Sequence, residues 1–286
     1  MDRKYLEMDD NAGADYETLL LTKSEDVAHV VLNRPQKRNA LSKLMLSELD
    51  AVLDALAADP TAKVVVLSGA GSSFCAGFDV SSGGSASTNY DSDDVVTDYL
   101  DLRRRLGQLF AIWNHPKPVI AAVHGNCIGA GSIVAALADI TVVAADARIG
   151  IPSLPLGGGF LTPTWVHLVG PKRAKQIAFE VGGAISGTQA VEWGFANEAV
   201  PESELLDTAF SLARRYCRTP VGLLILKKAA INRMVDLSGF GVGAQVGALT
   251  DAVAHQVSEL AAIKDAIRAH GVRQTVADFA SGGLDA

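Results

Sequence analysis

Three short apolar runs constrain this chain more than any other feature: 63–68 (KVVVLS), 119–123 (VIAAV) and 140–144 (ITVVA). None alternates apolar with polar side chains, so each reads as a strand buried on both faces. The first leads into a glycine-bearing loop, 69–79. The second leads into another, 125–131, which opens directly into an apolar helix at 132–138. The order strand, loop, helix therefore recurs. Parallel strands need crossovers of that kind, and ligands collect where strand C-termini meet helix N-termini. The expected fold class is α/β.

Flanking segments fit the same plan. The run 27–33 (VAHVVLN) reads as a strand that stops at Arg34-Pro35, because proline cannot continue the ladder. Ser42 is a good N-cap for a helix over 43–57, with Leu44, Leu46, Leu49, Val52, Leu53 and Leu56 at helical spacing. The stretch 81–94 is rich in Gly, Ser and Asp and reads as a mobile loop and candidate lid before a helix over 95–114. From about residue 205 the pattern is helical, with Leu223, Leu224, Leu226 and Ile231 followed by Leu249, Val253, Val257 and Leu260. These features divide the chain into a polar N-terminal extension (1–17), a core (18–215) and a C-terminal helical region (216–286).

A chain of 286 residues that is 49% hydrophobic can bury a large core. Its net charge of −7 is the wrong sign for a nucleic-acid partner, which needs a basic face. Cys75, Cys127 and Cys217 lack CxxC spacing and fit a reducing compartment. No signal peptide is visible in the first residues, and polar positions interrupt the longest apolar stretch, so no membrane insertion is expected. The expected location is the cytoplasm. No His, Cys and carboxylate cluster has metal-ligand spacing, so no metal is expected.

The two glycine loops suit one kind of chemistry. A carbonyl oxygen that gains charge during reaction is best stabilised by two backbone N–H donors fixed in advance, one of them at a helix N-terminus. The segments 73–79 (SFCAGFD) and 124–131 (HGNCIGAG) are placed for that role. Together with 32–41 (LNRPQKRNAL), 117–125 (KPVIAAVHG), 138–140 (ADI) and 185–194 (ISGTQAVEWG), in this order and spacing, they resemble the enoyl-CoA hydratase/isomerase (crotonase) family over roughly residues 18–215. The resemblance implies a crotonase-like spiral of repeated ββα units, with the C-terminal helices used for oligomerisation into a homotrimer or dimer of trimers.

The same resemblance implies an acyl-CoA thioester as substrate, with coenzyme A entering only as part of it and no permanently bound cofactor. It assigns the oxyanion hole to the backbone N–H groups of Phe78 and Ala130. Ala130 stands where the family usually has glycine, and the N–H survives that change. Arg34, Lys37 and Arg38 would face the nucleotide end of coenzyme A, with Ala40, Ala76, Asp79 and Val80 lining its path. The alternative for the three basic residues is a set of solvated surface charges.

The family pattern breaks where its hydratases carry two glutamates. Ile133 occupies the first position and Ser153 the second. Isoleucine has no proton to exchange, and serine needs an activating neighbour. Ordinary hydration is therefore disfavoured, and isomerisation, hydrolysis or decarboxylation by a relocated base becomes the expectation. Ser153 is either a replacement hydroxyl or a turn residue after Pro152. Ser132 is expected to cap its helix, His124 to be structural, His167 to be packed in an apolar run, and Asp79 to hold its loop. Asp91 and Asp94 are either acids that swing in or solvated charges.

Two rivals remain at this point. One is a catalytically inactive acyl-CoA binder of the same fold. The other reads 125–129 (GNCIG) as a nucleophile elbow, with Cys127 the nucleophile of an α/β-hydrolase. A dinucleotide site at 69–74 (GAGSSF) is disfavoured, since the third glycine is absent.

Overall fold

The computed structural model describes residues 16–80, 94–157 and 162–284. Asp91 and nearly all of the candidate lid lie outside them, as does most of the N-terminal extension. Strands β1 (Leu19–Ser24) and β2 (Val27–Leu32) form a hairpin and are followed by helix α1 (Lys43–Ala58). Three ββα units come next. They are β3 (Val64–Gly69), β4 (Ser73–Cys75) and α2 (Val95–Asn114), then β5 (Val119–Val123), β6 (Asn126–Ile128) and α3 (Ala130–Leu137), then β7 (Ile140–Ala144), β8 (Arg148–Gly150) and α4 (Thr162–Ala178). The chain continues through β9 (Ala184–Ser186), α5 (Gly187–Trp193), β10 (Glu198–Val200), α6 (Leu205–Cys217), α7 (Val221–Leu237), α8 (Phe240–Ala254) and α9 (Ala261–Ala280).

Each ββα unit gives its first strand to a large sheet, ordered β1-β2-β3-β5-β7-β10, and its second to a small sheet, ordered β4-β6-β8-β9. From β2 onward the large sheet is parallel. This is the expected spiral. Strands β2, β3 and β5 are buried at every residue, which accounts for their unbroken apolar runs. The edge strand β1 was not legible, because only Leu19 and Thr22 of LLLTKS are buried, three positions apart, which gives neither an alternating nor a continuous apolar pattern.

Local chemistry fixes the elements. Ser42 caps α1 by accepting the Met45 N–H at 3.1 Å. The buried face of α1 is Met45, Leu46, Leu49, Val52, Leu53 and Leu56. Leu44, expected on that face, is 43% exposed, since it lies one position off the stripe. In α4, Gly170 takes φ +77° ahead of Pro171 and breaks the helix there. Asp139 accepts the Val119 N–H and the Lys228 ammonium, each at 2.7 Å, which ties α7 to the parallel sheet.

Helix α6 packs on the large sheet, and α8 packs along α2. Residue 215 falls inside α6. Helices α7 and α8 leave Leu226, Ile231, Met234, Leu237, Val242 and Val246 exposed. Among the described residues, no helix is long and apolar enough to cross a membrane.

Candidate active site

The first loop is clipped from one side. Asn39 adopts φ +54°, a left-handed conformation that asparagine tolerates, and is fully buried. Its amide donates to Ala70 O at 2.8 Å and to Ser73 O at 2.7 Å, and its carbonyl accepts the Arg34 N–H. The backbone of 38–41 then pairs with that of 76–79. Ala76 N–H donates to Arg38 O, Leu41 N–H to Gly77 O at 2.8 Å, and Asp79 N–H to Leu41 O at 3.0 Å. In an extended segment successive N–H groups point to opposite sides. With Gly77 O and Asp79 N both committed to Leu41, the Phe78 N–H is directed away from Leu41.

The second loop is set by Gly129, the N-cap of α3, at φ +59°. Its N–H donates to Gly150 O at 2.9 Å. Ala130 is the first residue of α3, so its N–H has no partner within the helix and sits at the positive end of the helix dipole. The two loops touch through glycines. A Cβ on Gly77, which has φ +96°, would lie 2.9 Å from Ile128 O and 3.4 Å from Ala130 N. A Cβ on Gly131 would lie 2.4 Å from Cys75 O. Only glycine allows the turn holding Phe78 to rest against the start of α3.

The residues assigned to coenzyme A divide into two groups. Lys37 and Arg38 are exposed on a turn beside this loop. Arg34 turns inward instead, donating to the Asp79 carboxylate at 2.9 Å and to Ala40 O at 2.6 Å. Asp79 is buried, as its loop-holding role requires. Ala40 and Ala76 are half-buried along the same edge. Val80 packs with Leu154, Leu260 and Ile263.

Ile133 is fully buried in α3, and Ser153 is exposed in the loop after β8. Pro152, next to Ser153, lies beside Gly129, where an added Cβ would meet its ring at 3.3 Å. Ser132 does not cap α3. Its hydroxyl donates back to Gly129 O at 2.8 Å and accepts Trp165 Nε1–H at 3.1 Å, because the third position of the helix faces inward. His124 is buried with Nε2 at 2.9 Å from Gly71 O, the structural role expected. His167 is exposed on α4, its ring 4.9 Å from that of Phe240, so it is not interior. Asp94 caps α2 through the Val96 and Thr97 N–H groups. The Thr97 hydroxyl bond, chief among these contacts, holds its carboxyl below the usual range.

Cys127 occupies the middle of β6, not a strand-to-helix turn, and is fully buried. Burial pushes its thiol pKa well up and that of Cys75 to about 12, so neither is a thiolate near neutrality. That geometry does not make an elbow.

A group of charged side chains escaped the sequence reading. Asp98, Asp101 and Arg105 lie on the buried face of α2 with Leu102 and Leu106. Arg105 donates to Asp101 through Nε at 2.7 Å and Nη2 at 2.6 Å, and its guanidinium stands 5.5 Å from the Phe78 ring centroid. His255, after α8, places Nδ1 at 2.6 Å from Asp98 Oδ2. The available signal was the recurrence of charge at 98, 101 and 105 on the apolar stripe, a pattern a solvated face does not need. Among the described residues, no group of three or more His, Cys, Asp or Glu could hold a metal ion.

Comparison with known proteins agrees with this architecture. A family model described as enoyl-CoA hydratase/isomerase matches residues 22–259. The chain is 35% identical over 226 residues to the 1,2-epoxyphenylacetyl-CoA isomerase of Escherichia coli, covering 76% of this chain and 82% of that one. It is 35% identical over 230 residues to the short-chain-enoyl-CoA hydratase of Clostridium acetobutylicum, covering 75% and 81%. The crystal structure of an enoyl-CoA hydratase/isomerase from Xanthobacter autotrophicus superposes with a TM-score of 0.85 at 30% identity, covering 92% of this chain and 97% of that one.

Proposed function

The chain belongs to the enoyl-CoA hydratase/isomerase family, and from that premise we propose that it binds an acyl-CoA thioester with the carbonyl oxygen between the N–H groups of Phe78 and Ala130. Charge that develops on this oxygen, as an enolate or a tetrahedral oxyanion, is stabilised there by two preset donors and the α3 dipole. The observation that carries the reading is the glycine contact between the loops. A Cβ on Gly77 would stand 3.4 Å from Ala130 N, so the peptide leading into Phe78 abuts the helix start.

Exposed Lys37 and Arg38 suit the phosphates of coenzyme A. Arg34 serves the loop through Asp79, and Ala40, Ala76 and Val80 border the thioester path. With Ile133 and Ser153 in place of the two glutamates, the favoured chemistry is isomerisation, hydrolysis or decarboxylation. We also propose a core over 18–215 with a helical region over 216–286, a homotrimeric or doubled-trimeric assembly, and a cytoplasmic location. The exposed apolar side chains of α7 and α8 support the assembly.

The substitution Ala130→Pro tests the donor directly. Proline is tolerated at the first position of a helix and lacks the N–H. Turnover of an acyl-CoA panel should fall by about a hundred- to a thousandfold, while coenzyme A binding and melting temperature change little. Unchanged turnover in a folded variant contradicts the reading. Thioester binding without turnover by the native protein would make it an inactive binder.

A further inference from the structure

We propose that Ser132 and Trp165 are positioning residues for the Ala130 oxyanion donor, joined to it by a buried relay of hydrogen bonds. The inference rests on the thioester reading above and adds what sets the aim and strength of one of its two amides.

The relay ends on the peptide that carries that amide. The Gly129 carbonyl and the Ala130 N–H belong to one planar unit, so whatever fixes the first aims the second. Gly129 O accepts the Ser132 hydroxyl at 2.8 Å, the Ser132 N–H at 2.9 Å and the Ile133 N–H at 3.3 Å. Ser132 Oγ in turn accepts Trp165 Nε1–H at 3.1 Å. The direction of each bond is fixed. An indole only donates and a carbonyl only accepts, so the hydroxyl between them donates toward Gly129. A donor at the carbonyl end polarises the peptide and makes its N–H a better partner for an anion. A second bond behind the first strengthens it further.

Placement separates this relay from a bond that only satisfies an indole. Ser132 is the one polar side chain of α3. A serine that bonds back to the preceding turn slightly weakens a helix, so the bond does not serve α3 itself. Ser132 is fully buried and Trp165 is 2% exposed, which keeps water from replacing either partner. Trp165 comes from α4, where its ring packs on Phe195 with centroids 4.7 Å apart. The other side of Gly129 is closed as well. Its N–H donates to Gly150 O at 2.9 Å, and an added Cβ would meet the Pro152 ring at 3.3 Å. The peptide is thus gripped behind Ala130 N, the atom that a Cβ on Gly77 would approach to 3.4 Å.

A donor of this kind is worth about a hundred- to a thousandfold in rate, and each supporting bond strengthens it by about 10–30%. Loss of the relay should then lower turnover by about two- to eightfold, with thioester affinity little changed.

The test reads the infrared stretch of a bound carbonyl in the full-length protein. The probe is the 13C=O-labelled ketone analogue of butyryl-CoA, in which a methylene replaces the sulfur. Native protein should lower that stretch relative to the analogue free in water. Ser132→Ala should lower it less, and Trp165→Phe by an intermediate amount. The double variant should match Ser132→Ala, because Trp165 acts only through the hydroxyl. Melting temperature should order the variants differently. Ser132→Ala alone strands a buried indole N–H, whereas the double variant leaves no such donor unpaired and stays folded even where the single one does not. A stretch that keeps its native value in every folded variant overturns the proposal, as does one that follows melting temperature instead. Native protein that leaves the stretch of the bound analogue unshifted, or binds no analogue, overturns the underlying thioester reading.

Discussion

The Arg34 guanidinium meets the Asp79 carboxylate at 2.9 Å, and the two residues stand 45 positions apart in the chain. Arg34 Nη1 also donates to Ala40 O, so one side chain joins the turn after β2 to the segment that follows Phe78. The pair is shielded, with 4% of the Asp79 side chain and 15% of the Arg34 side chain exposed. It is the polar counterpart of the backbone pairing between Leu41 and 77–79.

Asp79→Ala should therefore destabilise the fold by about 3–5 kcal/mol, because the guanidinium is left without its buried partner. Acyl-CoA turnover should fall further than thioester affinity, since the variant loosens the peptide that carries the Phe78 N–H. Urea unfolding and steady-state kinetics separate the two effects. Native stability in the variant contradicts this role.

The replaced glutamates make opposite predictions about tolerance. Ser153 is exposed, so Ser153→Glu should keep the melting temperature within a few degrees. Ile133 is fully buried, and Ile133→Glu places a carboxylate in an apolar shell at a cost of several kcal/mol, about the largest class of single-residue effects. Neither single change should create efficient crotonyl-CoA hydration, because the family mechanism uses both acids. Thermal melts and absorbance assays check each part.

His29 supplies a pH dependence of stability unrelated to the site. Burial lowers its pKa from 6.5 to about 4, and one ring nitrogen is 2.8 Å from Ser68 Oγ. The unfolded chain therefore binds the proton more readily than the folded one. The contribution is complete above pH 6.5 and is lost as pH falls toward 4, amounting to about 3 kcal/mol. His115, lowered to about 4 chiefly by burial, acts in the same direction. Urea titrations at several pH values should show His29→Gln with a shallower acid slope than the native chain.

Exposed Leu226 and Met234 on α7 predict an association surface. The double substitution Leu226→Glu and Met234→Glu should convert the proposed trimer to smaller species in sedimentation velocity, with α-helical content retained. A native protein that sediments as a monomer contradicts the assembly.

Much of the fold was legible because strands β3, β5 and β7 are buried on both faces and write that burial as unbroken apolar runs. Helix α2 was legible to the residue, bounded by Asp94 and by the prolines near Pro116. Strands β4, β6, β8 and β9 span three residues each, too few for any periodicity to appear. Sequence placed Phe78 and Ala130 on the two glycine turns, but their contact through Gly77 is a tertiary relation. His255 and Asp98 were illegible for the same reason. They lie 157 positions apart, and each looks ordinary beside its own neighbours.

A crystal structure with a non-hydrolysable acyl-CoA thioether or ketone analogue bound would examine the two amides themselves. The account predicts that a ketone oxygen at the thioester position lies within about 3 Å of both Phe78 N and Ala130 N. An analogue bound with that oxygen remote from either nitrogen, in well-defined density, would contradict it.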